Sequence, residues 1–225
     1  MGKLRIVAMA GMMAGTLALA HASAQAAGFP DPADDAKLAA APGSQTAIFS
    51  GGCFWGIQAV FEHVKGVTKA TAGYEGGSAE DAHYMVVSTG RTGHAESVLV
   101  TFDPSVVTYG QLLKVFFQVA HNPTQLNYQG PDEGTQYRSA VWPTDIEQGR
   151  IAKAYIAQLD AAHVFPKAIV TQINLAKPFY AAEGYHQDYL VRNPDQPYIV
   201  YNDLPKLADL KRSLPDLWVE YHPAS

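Results

Sequence analysis

The sequence predicts an α+β fold: a single compact domain with a mixed or antiparallel sheet, flanking helices, and a nucleophile where a strand turns into a helix. Three observations carry this. The short apolar run 46–50 passes through Gly51-Gly52 into an amphipathic helical pattern. Residues 95–102 alternate cleanly and stop at Asp103-Pro104. Helical and strand patterns interleave along the chain without the regular strand–helix repeat of a parallel sheet.

The helix after the glycine turn is read from Ile57, Val60, Phe61 and Val64, which recur at helical spacing. Cys53 then falls at its first turn, where free N–H groups and the positive end of the helix dipole favour a thiolate. The two glycines before it are expected to let the backbone approach a ligand closely. Residues 67–72 predict a second strand, ending in the loop Gly73-Tyr74-Glu75-Gly76-Gly77. Alternation over 95–102 places Glu96, Val98, Val100 and Phe102 on one face. Burial among them would raise the Glu96 pKa, because desolvation disfavours the charged carboxylate. A carboxyl that keeps its proton near neutral pH is a candidate general acid.

Thr108 is the expected cap of a helix carrying Leu112, Leu113, Phe116 and Val119. Residues 121–138 read as a long polar loop, a length that is usually functional. A short strand follows over 139–142. Thr144 and Glu147 have capping-box spacing for a helix reaching about His163. Residues 167–175 predict a strand with Ile169, Thr171 and Ile173 on one side. A helical turn is expected over 183–191. Leu207, Leu210 and Leu214 mark a last amphipathic helix, with Pro205 near its start.

Lys3 and Arg5, the uncharged apolar run 6–20, and the small residues around Ala24-Gln25-Ala26 read as a signal peptide over 1–26. The apolar run is too short for a comfortable membrane span. A bacterial protein, periplasmic or secreted, is expected. Cleavage after Ala26 removes Lys3 and Arg5 and no acid, taking the formal charge from −5 to −7. With no basic run, nucleic acid and anionic membrane are not expected partners, and the processed protein is expected to be a monomer free of the membrane. Residues 27–43 are Pro-, Asp- and Ala-rich without apolar periodicity and read as a flexible lead-in. Residues 44–225 read as the catalytic domain with a helical tail.

Cys53 is the chain's only cysteine. It cannot form an internal disulfide, although oxidising compartments favour paired cysteines. An unpaired thiol kept there points to redox chemistry. His63, His83, His121 and His163 are scattered without metal-ligand spacing. His94 and Glu96 share a strand face with no third ligand evident, so no metal site is expected.

Six pieces stand in a recognisable order over residues 47–193: Gly51-Gly52-Cys53-Phe54-Trp55-Gly56, Gly73-Tyr74-x-Gly76-Gly77, Thr92-Gly93-His94-Ala95-Glu96, Asp103-Pro104, Gly134-Thr135-Gln136-Tyr137-Arg138-Ser139, and His186-Gln187-x-Tyr189-Leu190. Together they resemble the peptide methionine sulfoxide reductase A family. The resemblance implies Cys53 as nucleophile and Glu96 as the acid that protonates the sulfoxide oxygen. It implies Phe54 and Trp55 as the apolar pocket for the S-methyl group, Tyr84 and Tyr137 as hydrogen-bonding partners of the oxygen, and Asp132 on the polar side. It also implies the family's α+β fold, selectivity for the S epimer, and repair of oxidised proteins and peptides without metal or organic cofactor.

The chemistry is coherent with the residues. A sulfoxide sulfur is a poor electrophile until its oxygen is protonated or strongly hydrogen-bonded, so a depressed thiol pKa is expected beside a raised carboxyl pKa. The products are methionine and a Cys53 sulfenic acid. Residues 193–225 hold no recycling cysteine. An external thiol reductant, either a thioredoxin-like protein or a small thiol, is therefore the expected partner. His186 matches a family motif and is read as a structural hydrogen-bonding residue. Two other readings of Cys53 stand beside this one: the nucleophile of a Cys–His hydrolase with the Gly51-Gly52 amides as oxyanion hole, and a merely buried thiol in an exported binding module.

Overall fold

The computed structural model describes residues 28–223, and Met1 alone before them. The segment 1–26 read as a signal peptide lies outside the described residues, Met1 apart. The apolar run at the first glycine turn forms β1 (Gln45–Gly51), followed by α1 (Phe54–Glu62), β2 (Val67–Glu75), the short α2 (Tyr84–Val87) and β3 (Ala95–Phe102). Then come α3 (Tyr109–Val115), a π-helical turn at Phe116–Ala120, a hairpin of β4 (Tyr128–Gln129) and β5 (Asp132–Glu133), β6 (Ser139–Val141) and α4 (Ile146–Ala161). The chain closes with β7 (Gln172–Ile173), β8 (Tyr180–Ala181), α5 (Tyr189–Arg192), a second π-helical turn at Ile199–Asp203 and α6 (Leu204–Ser213).

Six strands form one sheet in the order β7-β6-β1-β3-β2-β8. All pairings are antiparallel except β6 with β7. The sheet is mixed, as expected. Its main face carries the large core: Phe49 of β1 stacks on Phe61 of α1 and on Phe116, each with ring centroids 5.0 Å apart. A smaller cluster of Ile48, Ala95, Ala140 and Trp142 covers the opposite face, with Phe179 packed against it. Among the described residues no helix is long and apolar enough to cross a membrane.

Four local expectations change. β2 continues to Glu75 rather than looping out at Gly73, because β3 offers it a partner up to Ala95. The 121–138 loop folds back on itself as the β4–β5 hairpin, turning at Gly130 with φ +57°. The cap of α4 is Asp145 rather than Thr144: its carboxylate accepts the Gln148 N–H at 2.8 Å. Of 167–175 only Gln172 and Ile173 pair, because three-residue β6 has no further edge to offer.

The segment 27–43, expected to be a loose lead-in, has no helix or strand but is tied down along its described length. The Tyr155 hydroxyl donates to the Pro30 carbonyl at 2.7 Å, and Lys114 pairs with Asp31 at 2.6 Å. Arg150 pairs with Asp34. Asp35 accepts from the Thr108 hydroxyl and, at 2.8 Å, from the Gly110 N–H at the start of α3. Acids that composition alone assigns to solvent here meet a helix N-terminus and two basic side chains.

Candidate active site

Gly52 adopts φ +101°, a conformation that favours glycine, and swings the chain from β1 into α1. Cys53 is the N-cap of α1, one residue ahead of the expected first turn. The glycines make room for protein rather than for a ligand. A Cβ at Gly51 would lie 2.8 Å from the His121 ring, and one at Gly52 would lie 2.5 Å from the Gln129 side chain.

The N–H of Phe54, free at the helix start, donates to Glu96 Oε2 at 3.0 Å. Glu96 lies on the β3 face with Val98, Val100 and Phe102, and is only 2% exposed. Burial pushes its pKa up to about 8; the Phe54 N–H opposes the rise and the Asp132 charge adds to it.

The helix N-terminus thus serves the acid. Cys53 keeps part of its surface open to the pocket, yet the thiol is pushed well above its ordinary range, by burial first and then by the charges of Glu96 and Asp203. The Trp55 N–H and Lys206 pull the other way. The depressed thiol expected from the helix start is therefore corrected: burial, aided by acids that converge from distant segments, outweighs the helix end.

Cys53, Phe54, Trp55, Tyr84, Glu96, Asp132 and Tyr137 all line one cavity of ≈ 260 Å³. Gln196 and Tyr198 complete the lining. Trp55 stacks on Tyr189 with centroids 3.8 Å apart, and its indole N–H donates to His186 Nδ1 at 3.0 Å. His186 must be neutral at Nδ1 to accept, and burial lowers its pKa. It fixes the aromatic wall, the structural role read for it. Glu183 holds Tyr84 by accepting its backbone N–H at 2.9 Å, and also accepts the Tyr74 hydroxyl at 2.8 Å. Burial and the Glu96 charge keep the Tyr84 and Tyr137 hydroxyls protonated and able to donate. A larger cavity, ≈ 510 Å³, lies at the far end of α1 beside Glu62 and Asp188. It holds neither the thiol nor the acid against it.

Four residues come to this region that sequence reasoning missed: Gln196, Tyr198, Asp203 and Lys206. The Tyr198 hydroxyl donates to Asp132, and Asp203 accepts from Lys206 Nζ at 3.1 Å. They arrive because the tail folds back against α1, over 140 residues away in sequence. The available signals were Gly56 in mid-helix and an Asp–Lys pair at i, i+3.

No group of three or more His, Cys, Asp or Glu able to hold a metal occurs among the described residues. His94 is engaged instead by the Gly77 N–H at 3.1 Å and the Ser78 carbonyl at 2.8 Å. For the hydrolase reading, neither His186 nor His121 is a free base. His186 accepts from Trp55, and His121 bonds the Phe116 carbonyl and the Ser139 hydroxyl.

Residues 45–216 match the family model of peptide methionine sulfoxide reductase. Over 181 residues the chain is 65% identical to peptide methionine sulfoxide reductase MsrA 2 of Mesorhizobium japonicum, covering 80% of this chain and 93% of that protein. It is 49% identical to the protein of the same name from Synechocystis, over 83% of this chain and 88% of the other. Among solved structures it resembles methionine sulfoxide reductase A of Corynebacterium diphtheriae, with TM-score 0.59 and 36% identity over 69% of this chain and 77% of that one. It also resembles the reduced form of Mxr1 from Saccharomyces cerevisiae, with TM-score 0.61 and 32% identity over 68% and 87% of the two chains. With the profile, the relatives and the fold in agreement, the chain belongs to the peptide methionine sulfoxide reductase A family.

Proposed function

We propose that Cys53 and Glu96 carry out the family's reaction here, on the S epimer of methionine sulfoxide in proteins and in the free amino acid. The coarse activity follows from family membership: the chain is an oxidoreductase that reduces methionine sulfoxide and draws its electrons from thiols, without a prosthetic group. The single observation that supports the residue assignment is the Phe54 N–H to Glu96 bond of 3.0 Å, in a cavity whose lining includes both the Glu96 carboxyl and Cys53.

The S-methyl group packs on Phe54 and Trp55, and the oxygen faces Glu96, Tyr84 and Tyr137. Cys53 attacks the sulfoxide sulfur while Glu96 gives its proton to the departing oxygen. The oxygen ends on the cysteine sulfur: methionine gains two electrons, and Cys53 becomes a sulfenic acid. The thiol proton of Cys53 restores Glu96. One external thiol displaces water to form a mixed disulfide, and a second releases Cys53 and leaves as a disulfide. A thioredoxin-like protein or a small thiol fits this step, because the tail offers no second sulfur. The basic start, apolar run and small residues of 1–26 support export to the periplasm or beyond, with the processed protein acting as a monomer.

The test uses protein from Ala27 onward with separated epimers of a methionine sulfoxide peptide and a dithiol. Turnover of the S epimer alone, abolished in Cys53→Ser, is expected. Turnover that survives in Cys53→Ser would overturn the residue assignment.

A further inference from the structure

The tail places an ion pair under the start of α1. Asp203 is fully buried; its Oδ1 accepts from Lys206 Nζ at 3.1 Å, and its Oδ2 has no partner among the described residues. Both side chains press on the backbone of Gly56. A Cβ there would overlap Asp203 Oδ1 and lie 2.9 Å from Lys206 Nζ. Gly56 is three residues beyond Cys53, about one helical turn or 5 Å of rise.

The acidic, phenolic and basic groups around the nucleophile come from several elements, beside the neutral His186 that bonds Trp55. Glu96 stands on β3, Asp132 on β5, Tyr84 on α2, Tyr137 in the turn before β6, and Tyr198, Asp203 and Lys206 in the tail. All but Lys206 are acids or phenols. Asp203 pushes the Cys53 thiol up, and Lys206 draws it down. Lys206 also lies close enough to act on Asp132 and His121. The backbone donor at position 54, which would otherwise favour a thiolate, is taken by Glu96.

We propose that the buried Asp203–Lys206 pair of the tail gates the reactivity of Cys53, Asp203 restraining the resting thiol and Lys206 supplying the positive charge against which it attacks. Both are positioning residues. The proposal rests on Cys53 as the nucleophile. Restraint has a use: a protonated thiol is slow toward oxidants, so an idle Cys53 draws less on the external thiols that must resolve each oxidation.

With one cysteine in the chain, alkylation by iodoacetamide reports on Cys53 alone. The rate is followed against pH in the chain from Ala27 onward. Asp203→Asn is expected to raise the rate at pH 7 about tenfold and Lys206→Met to lower it about tenfold, with Lys206→Arg within about threefold of the parent. A pair that merely holds the tail in place would move both variants in the same direction. That result, or no movement in either, overturns the proposal. If Lys206→Met fails to fold, Asp203→Asn decides: a rate that does not rise overturns it. Alkylation needs neither substrate nor reductant, so its failure leaves the reductase assignment standing. Turnover surviving in Cys53→Ser fells the assignment of Cys53 as nucleophile instead.

Discussion

At position 54 a single N–H is directed to Glu96, but burial outweighs it and decides how Glu96 and Cys53 titrate. Both are raised, so near neutral pH the free pair holds two protons. Attack with acid assistance needs one proton on the pair, and the two sites share its loss. The sign follows: kcat/KM rises as pH climbs toward about 8, then falls once the second proton has left. In Glu96→Gln the ceiling is expected to drop about a hundredfold and the alkaline fall to vanish, since no acid remains to be lost. Initial rates against pH for both proteins check this. The burial of Glu96 and its raised pKa were legible in the alternation of 95–102. The raised thiol was not, because it comes first from burial and then from Glu96 and Asp203, all supplied by a strand and a tail that no local pattern joins to Cys53.

Among the elements, α1 shows how tertiary contact can reverse a local rule. Ala is ordinarily about 1 kcal/mol better than Gly inside a helix. Gly56→Ala is expected to cost about 2–4 kcal/mol instead, because its methyl group would displace Asp203 from a fully packed position. Urea unfolding of the two proteins measures the difference. The elements with long apolar stripes or full alternation, α1, β3 and α3, were readable from side-chain spacing. β7 was readable only as part of a longer strand, of which two residues pair, and β8 was not: it is two residues long, and only the neighbouring strand makes it a strand. The tail was read for missing sulfur, so Tyr198 on Asp132 and the ion pair beneath α1 passed unseen. Their spacing reports a helix, while their destination depends on the turn at Ile199–Asp203.

For the molecule as a whole, buried ionisable groups set the pH range of stability. Glu62 is 6% exposed with both carboxylate oxygens unpartnered among the described residues. Burial, and then the neighbouring Asp188, raise it from 4.5 to about 9. Folding therefore favours its protonated form, and stability falls as pH rises from 4.5 toward 9. Glu62→Gln is expected to change nothing at pH 4.5 and to stabilise by about 2–4 kcal/mol at pH 9, read from denaturation midpoints. His121 works on the acid side: burial lowers it from 6.5 to about 3, so stability is lost as pH falls through that window.

The docked stretch ahead of β1 bears on where this protein can be cut. Asp35 bonds the first turn of α3, Asp34 pairs with Arg150 on α4, and Phe29 meets the Phe165 ring edge-on at 5.9 Å. Trimming the chain to its first strand would take the Asp35 carboxylate from the start of α3, leaving its Thr108 cap in place, and strip a neutralising charge from α4. A fusion junction upstream of Phe29 is expected to keep these contacts, whereas a tag placed at residue 44 would yield a weaker protein with the cavity around Cys53 intact.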